Sequence, residues 1–156
     1  MPAISGFGWF RNSGTAAKPG YSVFIVPWAG SKANTRWATR AQSSGRLGGG
    51  SLDTDDRLVN ASVTFDVWLD AGTYKIAAVH AIETDAGIIS ITGITGATQT
   101  IDTYNATPAN NTYTEVGSLA VTAGVKTIVL TMATKNASST NYGCRLNSLA
   151  LIRTGA

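Results

Sequence analysis

The chain has 156 residues, 44% of them apolar and only 13% charged, with 17 glycines and one each of cysteine and histidine. That is enough for one domain burying about 70% of the surface its unfolded form exposes, and too little for two. It excludes an internal disulfide and a zinc cluster. The apolar content argues against disorder.

The net charge of +3 is unevenly distributed. Residues 1–50 carry Arg11, Lys18, Lys32, Arg36, Arg40 and Arg46 with no acid. Residues 51–102 carry Asp53, Asp55, Asp56, Asp66, Asp70, Glu83, Asp85 and Asp102 against Arg57 and Lys75. Residues 103–156 carry Lys126, Lys135, Arg145 and Arg153 against Glu115. Such blocks can stay solvated, pair within the chain, or pair head to tail between copies. The bases come singly, so no nucleic-acid partner is expected. Met1-Pro2-Ala3 does not read as a signal peptide, and no run reaches the length of a membrane span. The expected place of synthesis is a cytoplasm, and no membrane partner is expected.

Along the chain, residues 1–20 read as an N-terminal arm and residues 21–156 as a single domain. The arm holds Phe7, Trp9 and Phe10 between glycines, packed either on its own domain or on a neighbouring subunit. Residues 21–28 (YSVFIVPW) suit a strand stopped by Pro27. Residues 34–44 leave strand and helical turn both open, and 45–51 (GRLGGGS) form a glycine-rich corner. That corner is no phosphate loop, because no Gly-Lys-Ser/Thr follows. The aspartates of DTDD (53–56) fail the EF-hand pattern, since Leu58 and Thr64 occupy the required glycine and glutamate positions. A solvated turn is the plainer expectation, with a less regular calcium site as the alternative.

From residue 61 a two-residue period is clear. Val63, Phe65, Val67 and Leu69 share one face, and Thr64, Asp66, Trp68 and Asp70 the other. After Asp70-Ala71-Gly72 the chain returns through Tyr74, Ile76, Ala78, His80 and Ile82, which predicts a hairpin of antiparallel neighbours over 61–70 and 73–82. Further strands are predicted at 87–92, 98–104, 112–121, 125–132 and 145–153, with Lys126, Ile128, Leu130 and Met132 on one side of their strand. Strands at this spacing, separated by turns, describe an all-β antiparallel sandwich of the jelly-roll kind.

Chemistry is addressed mostly by exclusion. His80 lies in register with apolar neighbours and reads as a hydrogen-bonded core or interface histidine. Cys144 reads as a small buried hydrophobe. No pair of carboxylates is singled out for glycoside hydrolysis, so no catalytic residue, metal ligand or cofactor is assigned and no enzyme is expected. The candidate contact residues are Phe7, Trp9, Phe10, Trp28, Trp37 and Trp68. Trp68 shares its face with aspartates, where a solvated indole leaves a large apolar area uncovered. Burial within the chain is the commoner outcome for such a ring; cover by a second subunit or a sugar ring is the alternative. Four Asn-X-Ser/Thr matches, at Asn60, Asn105, Asn110 and Asn136, are expected by chance in asparagine-rich turns.

Residues 46–156 resemble a jelly-roll module of tailed-bacteriophage virion proteins. The resemblance is carried by Asp70–Tyr74 (DAGTY), Asp85–Ile88 (DAGI), Thr100–Tyr104 (TIDTY), Met132–Ser139 (MATKNASS) and Leu151–Gly155 (LIRTG). The module is similar in plan to sugar-binding jelly rolls and occurs in head-decoration, minor-tail and fibre proteins. Ala86 stands where many relatives have arginine. The resemblance implies a virion structural protein on the particle surface, preferentially a decoration or cement protein of the head. The alternative it leaves is a carbohydrate-binding tail or fibre component that contacts the host surface. The implied partners are the major capsid protein and cell-surface glycans; the aromatics of the arm and the opposite charge blocks add the expectation of copies of the chain itself, as a homotrimer.

Overall fold

A computed structural model describes residues 22–25, 31–32, 37–41, 50–54 and 59–156, with side chains described for 22–25, 53 and 59–156. Among these residues eleven strands form two antiparallel sheets. One sheet holds β3 (Trp37–Ala41), β4 (Gly50–Thr54), β11 (Arg145–Gly155), β6 (Gly72–Ile82) and β9 (Ala109–Val121) in that order, with β1 (Val23–Ile25) also paired to β11. The other runs β2 (Ser31–Lys32), β5 (Ser62–Leu69), β10 (Gly124–Lys135), β7 (Gly87–Thr92) and β8 (Gln99–Asp102). The expected all-β jelly-roll sandwich is what the chain forms. The strands predicted from residue 61 onward are found within a few residues, and residues 37–41 take the strand alternative. β2 and β4 were not predicted, β4 taking up the end of the expected glycine-rich corner and the start of DTDD. The expected arm, with Phe7, Trp9 and Phe10, and likewise Trp28, lies outside the described residues.

The alternation read from the sequence sets the inner faces. Val63, Phe65 and Leu69 of β5 are buried, with Val67 packed partly against them. They join Ile128, Leu130 and Met132 of β10, Ile89 and Ile91 of β7, and Ile101 of β8. The facing sheet supplies Tyr74 and Ile76 of β6, Leu119 and Val121 of β9, and Leu146, Leu149 and Leu151 of β11. Each such side chain contributes about 1.5–3 kcal/mol on leaving water. One continuous core therefore fills the space between the sheets.

The expected hairpin over 61–70 and 73–82 is not formed. β5 pairs with β10 and β6 pairs with β9, so Asp70–Ala71 carries the chain from one sheet to the other. The physical reason lies in the linker. A two-residue hairpin turn of the favoured types needs positive φ at one or both linking residues, which glycine and asparagine supply. Neither Asp70 nor Ala71 is left-handed, and the glycine comes one position later, as the first residue of β6. Thr122–Ala123 makes the same crossing between β9 and β10, again with glycine third.

Both crossings sit at one end of the sandwich, because Leu69 is opposite Gly124 and Gly72 is opposite Val121. Side chains satisfy the backbone there: the Tyr74 hydroxyl donates to the Asp70 carbonyl at 3.2 Å, and Arg153 Nη2 donates to the Ala71 carbonyl. Gly72 permits this packing, since a Cβ there would lie 2.7 Å from the Gly155 carbonyl oxygen and 2.3 Å from Arg153 Nε.

At the other end, the loop after β10 is held by its own polar groups. Lys135 Nζ donates to the Ser139 carbonyl at 2.8 Å, Ser139 Oγ to the Asn141 carbonyl at 2.8 Å, and Asn136 Oδ1 accepts from Ser138 N at 3.0 Å. Gly87 N donates to the Gly143 carbonyl at 2.7 Å, tying the loop to β7. This segment closes the fold rather than presenting a reactive group.

Gly93 tests how tightly the second sheet is built. Its φ is +86°, and a Cβ there would come within 1.8 Å of the Thr127 carbonyl oxygen, whereas one on Gly96 would meet nothing within 4 Å. Gly93→Ala is expected to cost about 2–4 kcal/mol and Gly96→Ala less than about 0.5 kcal/mol, read by urea unfolding. Equal losses in the two variants would contradict the strand placement.

Candidate functional site

The buried titratable groups are committed to structure. His80 of β6 is fully buried, its Nδ1 lying 3.0 Å from the Ala81 carbonyl and its Nε2 3.0 Å from Thr114 Oγ1 on β9. A carbonyl only accepts, so Nδ1 carries the proton and Nε2 accepts from the threonine hydroxyl. Burial lowers the His80 pKa, and the bond to the Ala81 carbonyl opposes this in part. Burial pushes the Cys144 thiol up, with Asp53 and Glu83 adding to the effect. A thiol held protonated is a poor nucleophile. Both residues occupy the structural roles expected of them.

Asp53 is buried and lies in β4, not in a solvated turn as expected, while Asp55 and Asp56 of the same run lie outside the described residues. Arg145 Nε lies 3.5 Å from Asp53 Oδ2, and Arg145 Nη1 lies 2.5 Å from Glu83 Oε1. A base of the last third thus meets two acids of the middle third, within one chain. No group of three His, Cys, Asp or Glu able to hold a metal occurs among the described residues.

The outer faces are where ligand chemistry can be built. Trp68 is 58% exposed, so the burial expected for this ring does not occur. The reason is positional: it occupies an outward-facing place on β5, opposite Val125 of β10, which is itself 63% exposed. Its Nε1 is directed at Asp70 Oδ1 in a long 3.4 Å hydrogen bond. One rung along, the Thr127 hydroxyl donates to Asp66 Oδ1 at 2.6 Å. Beyond these lie Thr64, Val129 and Thr92 in one row, then Ser62, Thr131, Ser90 and Thr100 in the next.

The opposite sheet has a different outer face. Phe24 (48% exposed), Ala150, Ala77 and Glu115 form one row across four strands. Tyr113, in the neighbouring row, donates its hydroxyl to Glu115 Oε1 at 2.5 Å, and Lys75 Nζ lies 3.1 Å from Glu115 Oε2. The Glu115 bond raises the Tyr113 pKa, and the bonds from Tyr113 and then Lys75 lower that of Glu115. Phe24 and Tyr113 were not singled out in the sequence. Period-two parity on β1 was the signal that could have found Phe24. On β9 the irregularity at Gly117 reverses the parity, so simple alternation groups the exposed Tyr113 with the buried Leu119 and Val121. Trp37 lies on β3 of this same sheet, whereas Trp68 belongs to the other.

No family model matches the chain, and no curated protein is significantly similar to it. Solved structures do share its fold. A xanthan lyase from Paenibacillus superposes with a TM-score of 0.64 at 23% identity over 80% of this chain, which spans only 12% of the lyase. A family 35 carbohydrate binding module from an environmental isolate gives 0.61 at 19% identity, covering 85% of this chain and 93% of the module. A carbohydrate binding module of lichenase 5A from Cellvibrio mixtus, in complex with cellotriose, gives 0.54 at 17%, covering 84% and 96%. These likenesses establish the β-sandwich.

His80 also gives the fold a pH signature. Its folded pKa lies below the unfolded value near 6.5, so its neutral form supports full stability above that pH. Stability is then lost as pH falls from about 6.5, with a slope of at most about 1.4 kcal/mol per unit from this one group. Urea unfolding of the wild type between pH 7.5 and 5 should show this loss, and His80→Gln should lack it. Parallel curves for both proteins would contradict a buried neutral histidine.

Proposed function

We propose that this domain is a glycan-binding module whose ring-stacking residue is Trp68. The observation that carries the reading is an indole 58% exposed with its Nε1 directed at Asp70, on a face that it shares with Val125, Val129, several hydroxyls and the Asp66 carboxylate. Sugar rings offer a C–H face to an aromatic plane and hydroxyls to surrounding acceptors, and such sites combine one apolar platform with a few placed polar groups. Asp66, with one oxygen held by Thr127, presents the other as an acceptor. The shared fold with carbohydrate binding modules, one solved with cellotriose, supports the reading.

The role is binding rather than catalysis. The single histidine and the single cysteine are both enclosed in the core, and neither faces this surface.

Within the resemblance to phage virion modules, the exposed ring favours a tail or fibre component touching host glycans over a cement protein of the head. A cementing surface needs a broad apolar core of contact. The outer face described here has one aromatic ring and one exposed valine among small hydroxylated side chains. The capsid partner rests on the resemblance alone, and the homotrimer on the charge blocks and on an arm that lies outside the described residues.

Trp68→Ala is the direct test. It should leave the unfolding midpoint nearly unchanged, because the ring contributes little to the core. Binding to a panel of immobilised glycans should weaken at least tenfold, about 1.4 kcal/mol or more. Undiminished binding by this variant would remove Trp68 from the site.

A further inference from the structure

The Trp68 surface continues well beyond the ring. Along β5 the outward residues are Trp68, Asp66, Thr64 and Ser62, and along β10 they are Val125, Thr127, Val129 and Thr131, paired rung by rung. From Trp68 to Ser62 the strand advances roughly 20 Å, the length of about four sugar residues in an extended chain. Three features of this strip point the same way.

First, the side chains decrease in size away from the ring, from indole to threonine and serine, leaving a shallow surface without a large projecting group. Second, hydroxyls recur on it: Ser62, Thr64, Thr131 and, one strand further, Ser90 and Thr92. None of these five donates to or accepts from another described side chain, in contrast to Thr127, which is taken by Asp66. They stand ready to exchange water for ligand hydroxyls. Third, the charge has one sign. The outward positions of β5, β10, β7 and β8 include Asp66 and Asp102 and no lysine or arginine; Lys126 and Lys135 fall at the opposite parity or past a register shift.

We infer that the β5–β10 outer face is a linear track for a neutral, extended glycan chain of about four sugars, with Trp68 stacking on one unit. This rests on the glycan-binding reading of Trp68 and adds to it a length, a direction and a charge class. The ring anchors one sugar, and the hydroxyl rungs each bind weakly along the chain. A polyanionic glycan meets Asp66, Asp70 and Asp102, with no lysine or arginine among the described outward side chains of β5, β10, β7 and β8. Like charges across a contact are disfavoured.

The test uses the full chain and an array of oligosaccharides two to eight units long. It carries neutral gluco-, manno-, xylo- and galacto-series beside an oligogalacturonate series, at low salt. Affinity should rise with length for at least one neutral series and level off at about four units. The acidic series should bind at least tenfold more weakly than that neutral series.

Two variants separate the track from the ring. Thr131→Val and Ser62→Ala, whose unfolding midpoints serve as the folding control, should each weaken binding of the hexamer roughly threefold to tenfold and leave the dimer unaffected. Trp68→Ala should weaken both. If dimer and hexamer bind equally, or if the acidic series binds best, the track is wrong while the Trp68 site stands. If hexamer binding is untouched by Thr131→Val and Ser62→Ala, the hydroxyl rungs are not part of the site. If Trp68→Ala binds every length as the wild type does, or if the wild type binds no glycan on the array, the track falls together with the reading beneath it.

Discussion

Two crossings of two residues each decide this structure. Asp70–Ala71 and Thr122–Ala123 bring the chain from one sheet to the other, and they lie side by side because β5 pairs with β10 and β6 with β9. A hairpin at either place would keep consecutive strands in one sheet and leave their apolar faces with no second layer to meet. By crossing instead, Phe65 and Leu69 face Tyr74 and Ile76 across the core as soon as the chain has turned. The cost is backbone polarity exposed at a corner. The Tyr74 hydroxyl and the Arg153 guanidinium meet it, and Lys126 Nζ binds Thr122 Oγ1 at 3.2 Å on the second corner. The same corner places Trp68, two residues before the crossing, at the end of an outer face.

Once the inner faces are filled, the reactive side chains are consumed by the scaffold. His80 joins β6 to β9 through Thr114, and its neutral form is what the low-dielectric site favours. Arg145 reaches from β11 to Glu83 and to Asp53 on β4, so the first aspartate of the 53–56 run serves to neutralise a base. Removing Arg145 would leave Asp53 buried beside a second acid, a costlier state than the pair. Recognition is consequently left to the outer faces, where polar groups are solvated and a ring can stay uncovered.

The sequence was informative about faces and uninformative about partners. Alternation named Val63, Phe65, Leu69, Ile128, Leu130 and Met132 as inward, because side-chain parity is a local property of an extended chain. Pairing is not local: a two-residue linker between alternating runs suits a hairpin and a crossing equally until the φ of the linker is considered. The distinction was present in the position of the glycine, third in Asp-Ala-Gly and in Thr-Ala-Gly rather than within the linking pair. Trp68 was recognised as anomalous from its aspartate neighbours, yet its exposure depended on which strand lay opposite, and Val125 gives it no cover. Tyr113 was missed because β9 is irregular, with Asn111 and Gly117 at positive φ interrupting its pairing with β6 and blurring its alternation. The loop after β10 entered the sequence reading only through the resemblance, at Met132–Ser139, and the hydrogen bonds within 135–141 are what hold it.

Two outer faces carry exposed aromatic rings, and electrostatics distinguishes them. On the β6–β9 side, Tyr113, Glu115 and Lys75 already satisfy one another, so a ligand hydroxyl must displace a bond to gain one. Its floor, Ala77 and Ala150, offers no polar group in return. Such a surface gains from covering Phe24 but little from orienting a sugar. On the β5–β10 side the long Asp70 bond engages the indole only through its edge and leaves the ring face open, and the rungs beyond it carry hydroxyls with no protein partner among the described side chains. Net hydrogen-bond gain on binding is small and depends on what each group gives up. Groups that give up only water can orient a ligand at least cost, and these are concentrated on the face that holds Trp68.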